Sequence, residues 1–124
     1  MKFITELAKT YNNLDIRYVE NLLKANVIYE SQNVLTPIEG KENLINYLQN
    51  KFKIIKDTDN LVFAEIGYLD TEKSKPCIIL SQGNKENKGA LILIKTKDNL
   101  ITRIDICTVA PHWSSAIRTN EYPT

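Results

Sequence analysis

Apolar residues at the start of the chain recur at helical spacing: Phe3, Ile4, Leu7, Ala8 and Tyr11. They mark one face of an amphipathic helix, predicted over residues 2–12. Asn12 and Asn13 break it, and one of them can cap a following helix. A second helical stripe follows at Ile16, Val19, Leu22 and Leu23. Over residues 25–31, ANVIYES, the period changes to two. Val27, Tyr29 and Ser31 oppose Ile28 and Glu30, as in a half-buried strand. NVLTPIEG then reads as a short extended arm, which Pro37 confines to an edge or a bulge. Gly40 opens a third helix whose buried face is Leu44, Leu48, Phe52 and Ile55, and DTDN ends it.

From there the pattern is strand throughout. LVFAEIGYL (61–69), PCIILSQG (76–83), GALILIKTK (89–97) and LITRIDICTVA (100–110) are separated by the turn signals DTEKSK, GNKENKG and KDN, which suits an antiparallel meander. In the last strand Leu100, Ile104 and Ile106 form the more apolar face, expected to meet the helices. Arg103, Asp105, Cys107 and Val109 share the opposite face, where Arg103 and Asp105 can pair. Helices in the first half and antiparallel strands in the second define an α+β domain, with three helices packed on one face of a curved, mainly antiparallel sheet. The cone so formed has an apolar interior of the kind in which small ligands sit. With 124 residues the chain fits one domain, its core at about 2–110. The polar tail, 111–124, is expected to run extended over the cone's mouth or a neighbouring subunit.

Charge narrows the choice of partners. Sixteen basic and fifteen acidic residues give a net charge of +1, and the lysines are spread along the chain. No basic stripe exists to hold nucleic acid. No apolar run approaches the ~18 residues of a membrane span. Glu6 and Lys9 interrupt the one stretch, MKFITELAKTYNN, that resembles a leader, so a cytoplasmic location is expected. Cys77 and Cys107 form no CxxC pair and are expected to be free, partly buried thiols. One histidine excludes a polyhistidine metal site. Gly83 and Gly89 bracket an ordinary hairpin rather than a phosphate loop, and Ser114–Ser115 lack the frame of a nucleophile elbow. Neither metal nor cofactor is expected.

Three stretches together resemble the nuclear-transport-factor-2-like superfamily, which includes the SnoaL-like, ketosteroid isomerase-like and polyketide cyclase-like proteins. They are NNLDIRYVENLLKANVIYES, then IEGKENLINYLQNKF with Gly40 and Leu44–Ile45 at the entry to the third helix, then the four-strand meander. The resemblance covers about residues 2–110 and implies the cone-shaped, cystatin-like fold. It also implies a homodimer formed through the sheet, since the outer sheet face is commonly a dimer surface in this superfamily. Its isomerase branch carries a catalytic carboxylate near the end of the first strand, here at Glu30 or Ser31 according to register. A one-residue shift exchanges the faces. Tyr29 is more easily buried than Glu30, which favours Tyr29 and Ser31 inward. In the other register Glu30 would enter an apolar pocket with a raised pKa, suited to proton abstraction.

Several residues carry candidate chemistry. His112 has the only side chain whose ordinary pKa lies near neutrality; it is either an acid–base catalyst at the cone's rim or a histidine satisfied by local backbone. Trp113 beside it is a ligand contact at the rim, a plug over the core or an interface residue. Tyr11, Tyr18 and Tyr29 fall on predicted inward faces, where their hydroxyls would suit a polar ligand or be satisfied within the core. Glu65, mid-strand among apolar residues, either faces solvent or is a pocket acid; Asp105 is a surface, interface or pocket acid. Two functions follow. One is a small-molecule-binding protein or cofactor-free acid–base enzyme of the isomerase/cyclase-like group, acting on an apolar ligand. The other is a non-catalytic interaction module of immunity or scaffold type.

Overall fold

The computed structural model describes residues 1–34, 36–70 and 74–124. Leu35 of the extended arm, and Thr71–Lys73 of the DTEKSK turn, lie outside the described residues. Helix α1 (Lys2–Asn13) leads through two 3₁₀ turns, Ile16–Tyr18 and Glu20–Leu22, into β1 (Leu23–Ser31). A two-residue β2 (Ile38–Glu39) precedes α2 (Lys41–Asp57). The meander follows as β3 (Val62–Tyr68), β4 (Pro76–Gln82), β5 (Lys88–Lys97) and β6 (Leu100–Cys107), and a short β7 (Ile117–Arg118) closes the chain.

The strands form one curved sheet in the order β2-β1-β6-β5-β4-β3-β7. Every pair is antiparallel except β1 with β6, which is parallel, with Tyr29 beside Ile104 and Glu30 beside Asp105. Register shifts interrupt β1 between Leu23 and Ile28, β4 between Leu80 and Ser81, and β5 between Lys95 and Thr96. Such irregularities bend a strand and strengthen its twist, which curves the sheet around the helices. α1 packs on β3 and β4, and α2 on β1. The interior between them holds Leu7, Leu44, Leu48, Val27, Ile78, Ile92 and Ile104, all buried. Each fully buried Leu or Ile contributes about 2 kcal/mol from surface removed from water.

Three local expectations are corrected. The stripe from Ile16 to Leu23 forms 3₁₀ turns and the start of a strand, not an α-helix. Its cap is Asp15, whose carboxylate accepts from the Arg17 N–H; Asn12 and Asn13 bond instead to the C-terminal residues. In β6 the inward place expected for Leu100 is taken by the fully buried Ile101. The irregularity against β5 pairs Lys95 with Arg103 but Thr96 with Ile101, which shifts the alternation by one residue.

Gly40, at the entry to α2, has φ +94°, in the region that favours glycine. Gly67 is required for a different reason. A Cβ there would lie 3.1 Å from Ile79 Cδ1 and 3.3 Å from the Ile117 carbonyl oxygen, so β7 can lie against β3 only beside a residue without a side chain. Gly67→Val is expected to cost about 1–3 kcal/mol of stability. Gly89→Ala, whose Cβ meets nothing within 4 Å, should be nearly neutral; thermal unfolding of the two variants checks this, and equal losses would contradict it.

Candidate functional site

Sheet curvature leaves a cavity of about 410 Å³ between the inner face and α2. Three tyrosines line it: Tyr11 from α1, Tyr29 from β1 and Tyr47 from α2. The Tyr29 and Tyr47 rings lie 5.4 Å apart, and Tyr11 stands edge-on to Phe52 at 5.5 Å. After burial itself, the neighbouring phenols Tyr11 and Tyr47 also act on the Tyr29 phenol and raise its pKa. Burial raises the pKa of Tyr11 and of Tyr29 well above the ordinary phenol value, so both are neutral hydrogen-bond donors at any physiological pH. Lys51, one turn beyond Tyr47 on α2, also lines the cavity, its Nζ 5.9 Å from the centre of the Tyr47 ring. Burial lowers its pKa below the usual lysine value. Ile55, Val62, Leu80, Ala90 and Ile106 supply apolar wall, and Ser31, Asn33, Gln82, Asn87 and Thr108 add polar groups.

The strand exit beside the cavity is held by Gln32. Its Oε1 accepts from the backbone N–H groups of Thr108 and Val109, both at 2.7 Å, while its amide donates to the Ala110 carbonyl. Thr108 Oγ1 lies 3.1 Å from Asn33 Oδ1. The segment after β6 is thereby tied to the segment after β1, and the two parallel strands end together.

The predicted residues divide sharply. Tyr11, Tyr29 and Ser31 line the cavity, in the register that turns Tyr29 inward. Glu30 does not: it stands exposed on the outer face and pairs with Arg103, which also holds Asp105 at 3.0 Å. Tyr18 is 37% exposed in a 3₁₀ turn and lies outside the lining; the loss of helical continuity after Leu14 turns it away. His112 is exposed and caps the 3₁₀ turn Trp113–Ser115. Its Nδ1 accepts from the Ser114 N–H at 3.2 Å and lies 2.7 Å from Ser114 Oγ. It is therefore satisfied locally rather than aimed at the cavity. Trp113 packs on the outer face against a second apolar cluster, Cys77, Ile79, Leu91 and Cys107, with Lys88 Nζ 5.6 Å from its ring. It plugs the sheet from outside.

Glu65 is completely buried, yet outside the cavity. It faces outward from β3, beneath the C-terminal residues. Arg118 Nε lies 3.1 Å from both its oxygens, the Asn120 N–H donates at 2.9 Å and the Tyr122 hydroxyl at 3.0 Å. Burial alone would raise its pKa, but Arg118, the Asn120 N–H and Tyr122 outweigh burial and lower it. The tail expected at the mouth or on another subunit instead lies along β3. Glu121 O accepts from the Ile66 N–H, and Thr119 Oγ1 donates to Ile66 O. Asn12 joins the tail to the core by exchanging bonds with Ala64 and donating to Pro123 O.

Tyr47 and Lys51 were not among the predicted site residues. Their signal was present: both flank the Leu44–Leu48–Phe52–Ile55 stripe at helical spacing. A lysine at the border of an apolar stripe is normally read as solvated surface. Among the described residues, no group of three His, Cys, Asp or Glu is placed to hold a metal ion. Among these residues no helix is long and apolar enough to cross a membrane.

Comparison with known proteins places this geometry in a fold group. No family model matches the sequence, and no curated protein matches it. Solved structures do. A SnoaL-like protein of unknown function from Burkholderia thailandensis superimposes with a TM-score of 0.64 at 13% identity, covering 87% of this chain and 92% of that one. An NTF2-like protein of unknown function from Cytophaga hutchinsonii gives 0.60 at 13% identity over 84% of each chain. A de novo designed protein with a curved β-sheet gives 0.63 at 13% identity, over 88% of this chain and 87% of that one. Ketosteroid isomerase-like and polyketide cyclase-like structures are also among the matches. The chain has the nuclear-transport-factor-2-like fold, an α+β architecture; at these identities the likeness establishes fold alone.

The Glu65 anchor has a pH signature. Its folded pKa lies below the unfolded glutamate value of about 4.3. The stabilisation is therefore complete above that value and is lost as pH falls through the depressed one. Glu65→Gln should cost about 2 kcal/mol at neutral pH and flatten the acid limb of a denaturation–pH profile. Superimposable acid limbs for wild type and variant would contradict the assignment.

Proposed function

We propose that the chain binds a small, largely apolar molecule in the cavity formed by Tyr11, Tyr29 and Tyr47. The observation that carries this reading is the space itself. A cone filled by its own side chains would have no such use, whereas about 410 Å³ is a normal volume for a small-molecule site. Its walls also combine apolar surface with a few converging hydroxyls, the usual composition of such a site. This favours a ligand-binding protein over a pure interaction module.

The acid–base chemistry expected of Glu30 and His112 has no support in their positions. Any proton transfer in the cavity falls to Lys51 and the phenols, since neither a carboxylate nor an imidazole is among the described lining residues. A homodimer through the sheet would use the outer face around Leu93 and the Arg103 cluster, because Trp113 and the tail cover the neighbouring strands. Two free thiols fit a reducing compartment such as the cytoplasm.

Native mass spectrometry of the purified chain against a small-molecule library tests the binding reading. Retained ligands should be lost in Tyr29→Ala and kept in His112→Ala. Loss in His112→Ala with retention in Tyr29→Ala would place the site elsewhere.

A further inference from the structure

The described lining of the cavity carries one formal charge. Among the described residues that line it, Lys51 is the only ionisable group besides the three tyrosines, and no acidic residue accompanies it. Its ammonium makes no ion pair or hydrogen bond with any described residue; its one polar contact is the face of Tyr47 at 5.9 Å, a weak cation–π contact at that distance. The carboxylates of the adjoining strands are engaged elsewhere: Glu30 and Asp105 on Arg103, and Glu65 on Arg118. A half-buried cation without a counterion is costly, and that cost is relieved when an anion arrives.

Resting on the cavity reading above, we propose that the ligand is a monoanion: an apolar body, aromatic or aliphatic, ending in a carboxylate or similar oxyanion that docks on Lys51 and the neighbouring phenols. Each part of the wall restricts the class. Tyr11 and Tyr29 are held neutral by burial, so they meet an oxyanion as uncharged phenols and do not repel it. A cationic ligand would face the ammonium with no carboxylate to offset it. A neutral ligand would seal Lys51 away from water without giving it a partner. A phosphate ester, carrying close to two charges, finds one point charge and no guanidinium fork. Ile55, Val62, Leu80 and Ala90 offer the rest of the molecule only apolar contact.

Two fluorescent probes with the same ring system separate charge from shape: 8-anilinonaphthalene-1-sulfonate, which is anionic, and N-phenyl-1-naphthylamine, which is not. Lys51→Met keeps an unbranched stem only one atom shorter and removes the charge, and it breaks no ion pair with a described residue. It should weaken the sulfonate about tenfold while leaving the neutral probe within about twofold; Lys51→Arg should restore the sulfonate. Ala90→Trp, which fills the cavity, should abolish both. Decanoate should displace the neutral probe from wild type, and from Lys51→Arg, more effectively than decan-1-ol. Unchanged sulfonate binding in Lys51→Met, or equal loss of both probes, overturns the charge assignment while leaving the cavity reading standing. Binding of both probes that survives Ala90→Trp, or binding of neither by wild type, overturns the cavity reading and this inference with it.

Discussion

Parallel pairing of β1 with β6 decides which side chains meet in the interior. With Tyr29 beside Ile104 and Glu30 beside Asp105, one strand sends a phenol inward and a carboxylate outward. A slip of one residue would bury Glu30 without a partner and strand Tyr29 in water. Arg103 reinforces the register from outside, since it bridges both acids only when they stand side by side. These groups are partly exposed, so their contribution to stability is small; what they supply is discrimination between two alignments.

The rest of the site follows from this pairing and from curvature. Gln32 and the backbone at 108–110 lock the ends of the two strands together, which fixes the polar groups of Ser31 and Thr108 next to the phenols. The interrupted registers bend the sheet away from α2 and leave space where a flat sheet would have packed. At the far side β3 would present a bare edge, and the C-terminal residues cover it through β7, Thr119 and Glu121. Covering an edge in this way removes a template for unwanted strand pairing. Glu65, buried beneath that cover, is a fastening rather than a reagent.

Much of the architecture was legible in the residue pattern because both periodicities were clean. The α1 stripe, the α2 stripe and all four strands of the meander fall within a few residues of their predicted bounds. Resemblance to the superfamily pointed to the same cone. The site was only half legible. Tyr29 and Ser31 could be placed by asking which neighbour buries more easily, a local question with a local answer. Tyr18, His112 and Glu65 could not, because their surroundings come from residues far away in the chain: Glu65 from Arg118, Asn120 and Tyr122, and the 3₁₀ turns from the way α1 hands over to β1. Lys51 shows the same limit from the other side, since periodicity marks the border of a stripe but not whether that border faces water or a void.

Trp113 has a consequence for observing this molecule in solution. It is the only tryptophan, and it sits on the outer face against Cys107 and Leu91, while Tyr11, Tyr29 and Tyr47 stand on the inner side of the same sheet. The indole and these three phenols therefore look onto different compartments. Emission excited selectively in the indole reports on the covered outer surface and the fastening of the tail. The chain thus carries one built-in reporter for its outer face, and an event there can be followed while the phenols stay dark.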